Sequence, residues 1–424
     1  MMSKYQSMSE ELLLQTKQNL MLQFEEFKQK GLKLVMSRGV PCPQQLDLSN
    51  EMLSITNFKT ASGVDCRNYG QVDGIEEAKT LFADLLEVHS KEIIMGGNSS
   101  LNMMYDTIAR AMLVGVPGIN KPWSKLDKVK FLCPSPGYDR HFSICELFGI
   151  EMIIIPMTPT GPDMDLVENL VVEDSSIKGI WCVPKYSNPD GITYSSTTVS
   201  RLAGLKTAAN DFIIMWDNAY AFHHLSGTPD QLLNIMTEAK RFDLANRVYQ
   251  FSSTSKITFA GAGISALATS EFNCETIKKQ INISTIGPDK LNQLRHVEYF
   301  KTAQGIINHM KKHAKILKPK FDTVCEVLEE ELGELDIAWW NSPNGGYFIN
   351  LRTLEGCADK IVLMAAKAGV LLTAPAGSAF PYKKDPNDCN IRLAPSYPSI
   401  VDLKLAIKLV ALCVKIVSVE KALA

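Results

Sequence analysis

An α/β architecture, with a mainly parallel seven-stranded sheet between helices and a smaller α+β domain beside it, is what this sequence predicts. Three observations predict it. Seven strand-length apolar runs follow one another through the middle of the chain, at 93–95, 129–132, 152–155, 179–183, 212–216, 248–251 and 264–268. Helical patterns lie between several of them, for example 103–113, 143–148 and 198–210, and such alternation implies strands joined by crossover helices on both faces of a sheet. At 424 residues the chain exceeds one small core, so two domains are expected.

Each element follows in order. Residues 9–30 carry Leu13, Leu20, Phe24 and Phe27 at roughly helical spacing. Ser7 with Glu10 is read as a capping box, and Gly31 as the stop. Gly39-Val40-Pro41-Cys42-Pro43 is a turn-rich connector toward Asp47 and Leu48. After the seven runs the character changes. A long helical pattern spans 289–332, strand-like pieces at 347–351 and 390–393 flank a helix at 357–368, and an amphipathic helix at 401–419 ends the chain. The expected division is 1–50 as the N-terminal helix and connector of the small domain, 51–300 as the large domain, and 301–424 as the rest of the small one. Neither internal repeats nor low-complexity segments interrupt it.

Composition excludes several classes. Apolar residues make up 46% and charged ones 21%, an ordinary globular balance. A net charge of -2 offers no basic bias toward nucleic acid or an anionic membrane. Apolar runs are strand-length and too short to span a bilayer. The N-terminus lacks the basic, apolar, small-residue order of a signal peptide. Ten cysteines are scattered singly and no two are three apart, which argues against a zinc ribbon or a redox pair and for buried thiols in a reducing cytoplasm. No metal is expected.

Four polar constellations each follow a strand, at the carboxyl edge where open parallel sheets collect ligands. Gly96-Gly97-Asn98-Ser99-Ser100-Leu101 joins a strand to a helix, so it offers close backbone approach, two hydroxyls and unpaired helix N–H groups to an anion. Asn188-Pro189-Asp190-Gly191 is a turn whose asparagine could donate to a ring oxygen. Trp216-Asp217-Asn218-Ala219-Tyr220 closes an apolar strand with a carboxylate that burial obliges to find a partner, and Tyr220 could reach the same oxygen. Ser253-Thr254-Ser255-Lys256 sets a lysine after a hydroxyl-rich turn. Singly, these also read as a helix cap, a turn, another cap and a surface lysine. Together they suit pyridoxal phosphate: Lys256 condenses with its aldehyde to a Schiff base, and Asp217 keeps its pyridine nitrogen protonated so that the ring accepts electrons.

In this joint order the sequence resembles the fold type I pyridoxal-phosphate-dependent aminotransferases, the aspartate aminotransferase superfamily, over almost the whole chain. Tyr69-Gly70 is similar to the family's tyrosine that reaches the cofactor phosphate of a partner chain, which implies a homodimer. Pro134-Ser135-Pro136-Gly137-Tyr138 resembles the segment whose aromatic residue stacks on the ring, with Tyr138 in that place. Asn390-Ile391-Arg392-Leu393 resembles the segment whose arginine clamps the substrate α-carboxylate, a task suited to a planar fork. The resemblance implies that Lys256 later moves the proton between the substrate Cα and the cofactor C4′. It implies that Asp217 pairs with the ring nitrogen, that Asn188 and Tyr220 bind the ring oxygen, and that Ser99, Ser100, Ser253, Ser255 and a partner's Tyr69 hold the phosphate. Gly39 is expected over the substrate carboxylate.

One departure stands out. Most members carry an arginine after the lysine, whereas 257–265 contains no cation, leaving the phosphate to hydroxyls, backbone N–H groups and glycines, or to a cation from elsewhere in the chain. That run, with Pro136-Gly137-Tyr138-Asp139-Arg140-His141-Phe142, resembles a bacterial subgroup of aspartate aminotransferases. The resemblance implies aspartate and 2-oxoglutarate as substrates in a ping-pong exchange; the distal carboxylate needs a second cation, for which Arg38, Arg67 and Arg140, each beside a site segment, are candidates that also read as exposed charges. Transaminases for other amino acids and lyases on the same fold would use nearly the same residues. A regulator with an aminotransferase-like domain would need room for a DNA-binding domain ahead of the pattern, and a dead homologue would not be expected to keep Lys256, Asp217, Asn188, Tyr220 and Arg392 together.

Overall fold

A computed structural model of the protein describes residues 4–119 and 121–424. The seven apolar runs form one sheet. In spatial order its strands are Ile93–Gly96, Ser265–Ala268, Val248–Ser253, Ile213–Asp217, Ile177–Cys182, Lys130–Ser135, Glu151–Thr158 and a two-residue edge, Gly161–Pro162. Only Ser265–Ala268 and that edge run against the rest. Ile177–Cys182 and Ile213–Asp217 are buried at every position, which is why they read as unbroken apolar runs. Successive side chains enter opposite cores. Ile213 and Met215 join Met103 and Ile108 of helix Ser100–Val114 on one face. Ile214 and Trp216 join Val167, Val199 and Met236 of helices Met164–Glu173, Ser196–Ala203 and Ile235–Arg241 on the other.

The C-terminal region builds an antiparallel sheet in the order Ala338–Trp340, Ile349–Thr353, Asn390–Leu393. Helix Glu10–Gln29 crosses to this region, its Leu13, Leu20 and Phe24 sharing one core with Val324, Leu328, Ile407, Val410 and Val414. Leu34–Val35 then pairs in parallel with Val370–Leu371, which sets the connector beside the sheet bearing Arg392.

Four expectations change. The first helix is capped by Ser9, which accepts from the Leu12 N–H, while Ser7 sits in a preceding 3-10 turn and bonds Lys4. The pattern at 289–332 is two helices, Lys290–Phe300 and Ala303–Leu332, because Lys301 takes a left-handed φ of 62° and Thr302 caps the second. The pattern at 198–210 stops at Ala203, before Gly204. The last helix, Ile400–Ala422, is buried nearly all round rather than on one face, because helices Glu10–Gln29, Ala303–Leu332 and Ala358–Lys367 all pack on it. Among the described residues no helix is long and apolar enough to cross a membrane.

Candidate active site

Parallel strands bring their carboxyl ends to one edge, and there the four constellations meet around a cavity of about 270 Å3. Ser99, Ser100, Tyr138, Asn188, Asp217, Tyr220, Ser253, Ser255 and Lys256 all line it. Nine of the residues singled out from the sequence thus share one space.

Lys256 follows the strand Val248–Ser253 through a turn that Thr254 ties down. The Thr254 N–H donates to the Ile264 carbonyl, its hydroxyl accepts from the Ile264 N–H at 2.9 Å, and that hydroxyl also meets His296 Nε2 at 3.0 Å. The lysine Nζ lies 5.3 Å from the Tyr220 ring centre and 5.9 Å from that of Tyr347. Burial draws its pKa below the usual 10.5, with Asp217 pulling the other way. Burial also raises Tyr220 well above its usual range, and burial followed by the Asp217 charge pushes Tyr138 up to about 12. Both phenols therefore stay protonated and able to donate.

Asp217 ends its strand almost fully enclosed, at 3% exposure. One carboxylate oxygen, Oδ2, lies 3.1 Å from His141 Nε2, and that imidazole stacks on Trp181 at 4.3 Å and 8°. The other oxygen, Oδ1, is buried without a hydrogen-bond partner among the described residues. A lone carboxylate oxygen in such a place is costly unless a donor arrives. An aromatic ring with a protonated nitrogen supplies that donor, so these residues fit the cofactor expected from the sequence.

At the other end of the cavity the groups suit an anion. Ser255 donates to the Asn98 carbonyl at 2.8 Å and Ser253 to Ser255 at 3.1 Å. Ser99 caps helix Ser100–Val114 through its backbone, and its hydroxyl makes no capping bond. Among the described lining residues Lys256 is the one cation, so hydroxyls and helix N–H groups are what this end offers.

Arg392 reaches toward the cavity from the strand Asn390–Leu393 of the C-terminal sheet. Its Nη1 lies 3.4 Å from both Asp139 Oδ1 and Asn188 Oδ1, and its Nη2 lies 3.3 Å from the Ser37 carbonyl and from Thr373 Oγ1. These are long contacts, and Nε is buried with no partner. Gly39 packs on the Phe348 ring, where a Cβ would come within 2.6 Å, and that same ring lies 4.9 Å from the Arg392 guanidinium.

Other candidates stay outside. Tyr69 is 80% exposed and lies off the cavity. Arg67 forms a bidentate pair with Asp65 and covers Phe58, so its charge is already engaged. Arg38 and Arg140 are exposed and make no ion pair among the described residues. Sequence reasoning missed His141 and Asp139. His141 stands one helical turn after Tyr138, a spacing that puts both on one side of helix Asp139–Leu147, but its contact with Asp217 spans 76 positions.

The chain is similar to known proteins along nearly its whole length. The sequence model of a family described as aspartate amino-transferase matches residues 8–424. An aspartate aminotransferase of Corynebacterium glutamicum is 45% identical over 400 residues, covering 94% of this chain and 92% of its own. A Mycolicibacterium smegmatis protein named provisionally as an aminotransferase is 46% identical over 424 residues, 99% of each chain. Among solved structures, an aspartate transaminase from Corynebacterium glutamicum superposes with a TM-score of 0.96 at 43% identity over 99% of both chains.

Proposed function

The chain belongs to the aspartate amino-transferase family of fold type I pyridoxal-phosphate-dependent aminotransferases, and we propose that it exchanges an amino group between aspartate and 2-oxoglutarate by a ping-pong mechanism. The observation that carries this reading is the enclosed Asp217, one oxygen held by His141 and the other free, lining the same cavity as a desolvated lysine.

Pyridoxal phosphate, when bound, supplies an aldehyde that condenses with amines and a ring that accepts electrons. The protein's own groups do the rest. Asp217 Oδ1 accepts the ring N–H while His141 keeps the carboxylate oriented. Asn188 and Tyr220 donate to the ring oxygen, Tyr138 covers the ring, and Ser99, Ser100, Ser253 and Ser255 hold the phosphate. Lys256, its basicity lowered by burial, is deprotonated more readily and takes the Cα proton as general base. Arg392 turns its unpaired Nε and its loosely held Nη groups to the substrate α-carboxylate, beside Gly39. Arg38 or Arg140 meets the distal carboxylate.

The exposure of Tyr69 supports a homodimer in which this ring serves a partner's phosphate. Ten free cysteines, nine of them buried, support a cytoplasmic setting. We assign 51–300 to the cofactor-binding domain and 1–50 with 301–424 to the small domain.

The test is the absorption spectrum of the purified protein with pyridoxal phosphate, before and after L-aspartate alone. Conversion of the lysine-bound band to the amine form, and its return with 2-oxoglutarate, is the expected result. Bound cofactor indifferent to aspartate would move the substrate assignment elsewhere, and turnover by Lys256→Ala would refute the mechanism.

A further inference from the structure

The larger cavity of this fold is not the catalytic one. It encloses about 750 Å3, against about 270 Å3 around Lys256, and the two share no lining residue. They lie on opposite sides of one strand end. Side chains alternate along a strand, so Asp217 lines the catalytic side while Trp216 and Asn218 line the larger cavity. Gln250, directly across from Trp216 on the neighbouring strand, lines it as well. The loop at 221–235 and the start of helix Ala303–Leu332 close it.

Some of its polar groups have no partner among the described residues. Asn218 is 8% exposed and Gln250 4%. Neither side-chain amide makes a hydrogen bond among the described residues, and Asn218 Oδ1 is fully enclosed without one. Lys185 is half-buried and forms no ion pair among the described residues. Burial draws its pKa down, while Asp230 and Glu87, at longer range, draw it up. Asp230 is already engaged by Thr193 and Asn344. Trp216, Phe222, Leu232 and Met310 supply apolar wall. A cavity of this size, with apolar walls and convergent polar and charged groups, has the form of a small-molecule site, and enclosed amides without partners cost stability until something bonds them.

We infer that this cavity is a second ligand site, taking a zwitterionic amino acid with a large apolar or aromatic body. Its carboxylate pairs with Lys185, its ammonium meets Glu87 and the amides of Asn218 and Gln250, and its body lies along Trp216. An amide both donates and accepts, so either end of the zwitterion finds a partner there. The site stands apart from the substrate pocket and from the substrates assigned to it.

The probe is N,N-dimethyl-L-phenylalanine, whose tertiary ammonium cannot condense with an aldehyde. It is titrated into the cofactor-loaded protein and followed by calorimetry and tryptophan fluorescence. Saturable binding is expected, weakened about tenfold by Lys185→Met and again by Gln250→Leu, the loss of one hydrogen bond to a charged group. Arg392→Lys should leave it within about twofold, and 3-phenylpropionate, which lacks the ammonium, should bind about tenfold more weakly. Absence of saturable binding to the unmutated protein overturns the inference. So does binding that Arg392→Lys weakens and Lys185→Met spares, which would put the probe in the catalytic cavity. Equal binding of 3-phenylpropionate overturns the zwitterion chemistry.

Discussion

Asp190→Asn should stabilise the protein at neutral pH and do nothing in acid. Asp190 sits in the turn that presents Asn188 to the cavity. Its Oδ1 accepts from Asn350 Nδ2 at 2.6 Å, and its backbone carbonyl accepts from Asn341. Burial pushes its pKa from 3.8 up to about 6, against smaller opposing effects of the Asn350 hydrogen bond and the Arg352 charge. A raised folded-state value means the native protein holds this proton more tightly than the unfolded chain does. The resulting stability is fully present below the unfolded value near 3.8 and is lost as pH rises through about 6. The span between those values corresponds to about 3 kcal/mol, the cost of ionising this carboxyl in place. Asparagine keeps the acceptor for Asn350 and carries no charge, so it escapes that cost. Parallel urea denaturation of the cofactor-free proteins should show the variant ahead by up to about 3 kcal/mol at pH 7.5, with the gap closing by pH 4. A gap independent of pH, or a variant less stable at pH 7.5, would refute the assignment of this carboxyl as a buried, reluctantly ionised group.

Three further outcomes follow from particular contacts. His141→Phe keeps a flat ring against Trp181 but removes the donor to Asp217; it should cost the cofactor-free protein about 2 kcal/mol in denaturation, and an unchanged midpoint would mean Asp217 does not depend on it. Arg392→Lys replaces a fork by a point charge, so steady-state kinetics should show KM for the amino acid rising about tenfold or more, with cofactor affinity from spectral titration unchanged. Lys178 Nζ bonds buried Asp211 at 2.6 Å, and Trp123 Nε1 donates to the same carboxylate at 2.9 Å. Lys178→Met should therefore destabilise by about 3 to 5 kcal/mol, with Lys178→Met/Asp211→Leu recovering much of it; equal stability of the two variants would contradict a buried-charge origin.

Residues that end a strand were legible, because a polar side chain closing an apolar run in an α/β chain has only the carboxyl edge to occupy. Asp217 is read that way, and Asn188 and Lys256 through the turns that follow their strands. Residues whose role lies in a long-range contact were not. His141 and Asp139 look like ordinary helix positions until the fold sets one against Asp217 and the other against Arg392, 253 positions away. The last helix misled for a related reason. Lys404 and Lys408 mark one exposed stripe, and a single stripe suggests an amphipathic helix, but periodicity cannot count how many neighbours will cover the remaining faces.

The strand ending at Asp217 carries the same lesson to its other side. Its alternation could be read from sequence, and with it the fact that Trp216 and Asn218 turn away from the cofactor groups. What they turn toward depends on where helix Ala303–Leu332 begins and how the loop at 221–235 folds over the sheet. The helix start is set by the break at Lys301, whose positive φ of 62° no hydrophobic period encodes. The catalytic cavity is built from strand ends, which the sequence marks, whereas the larger cavity is built from the packing of distant segments, which it does not mark.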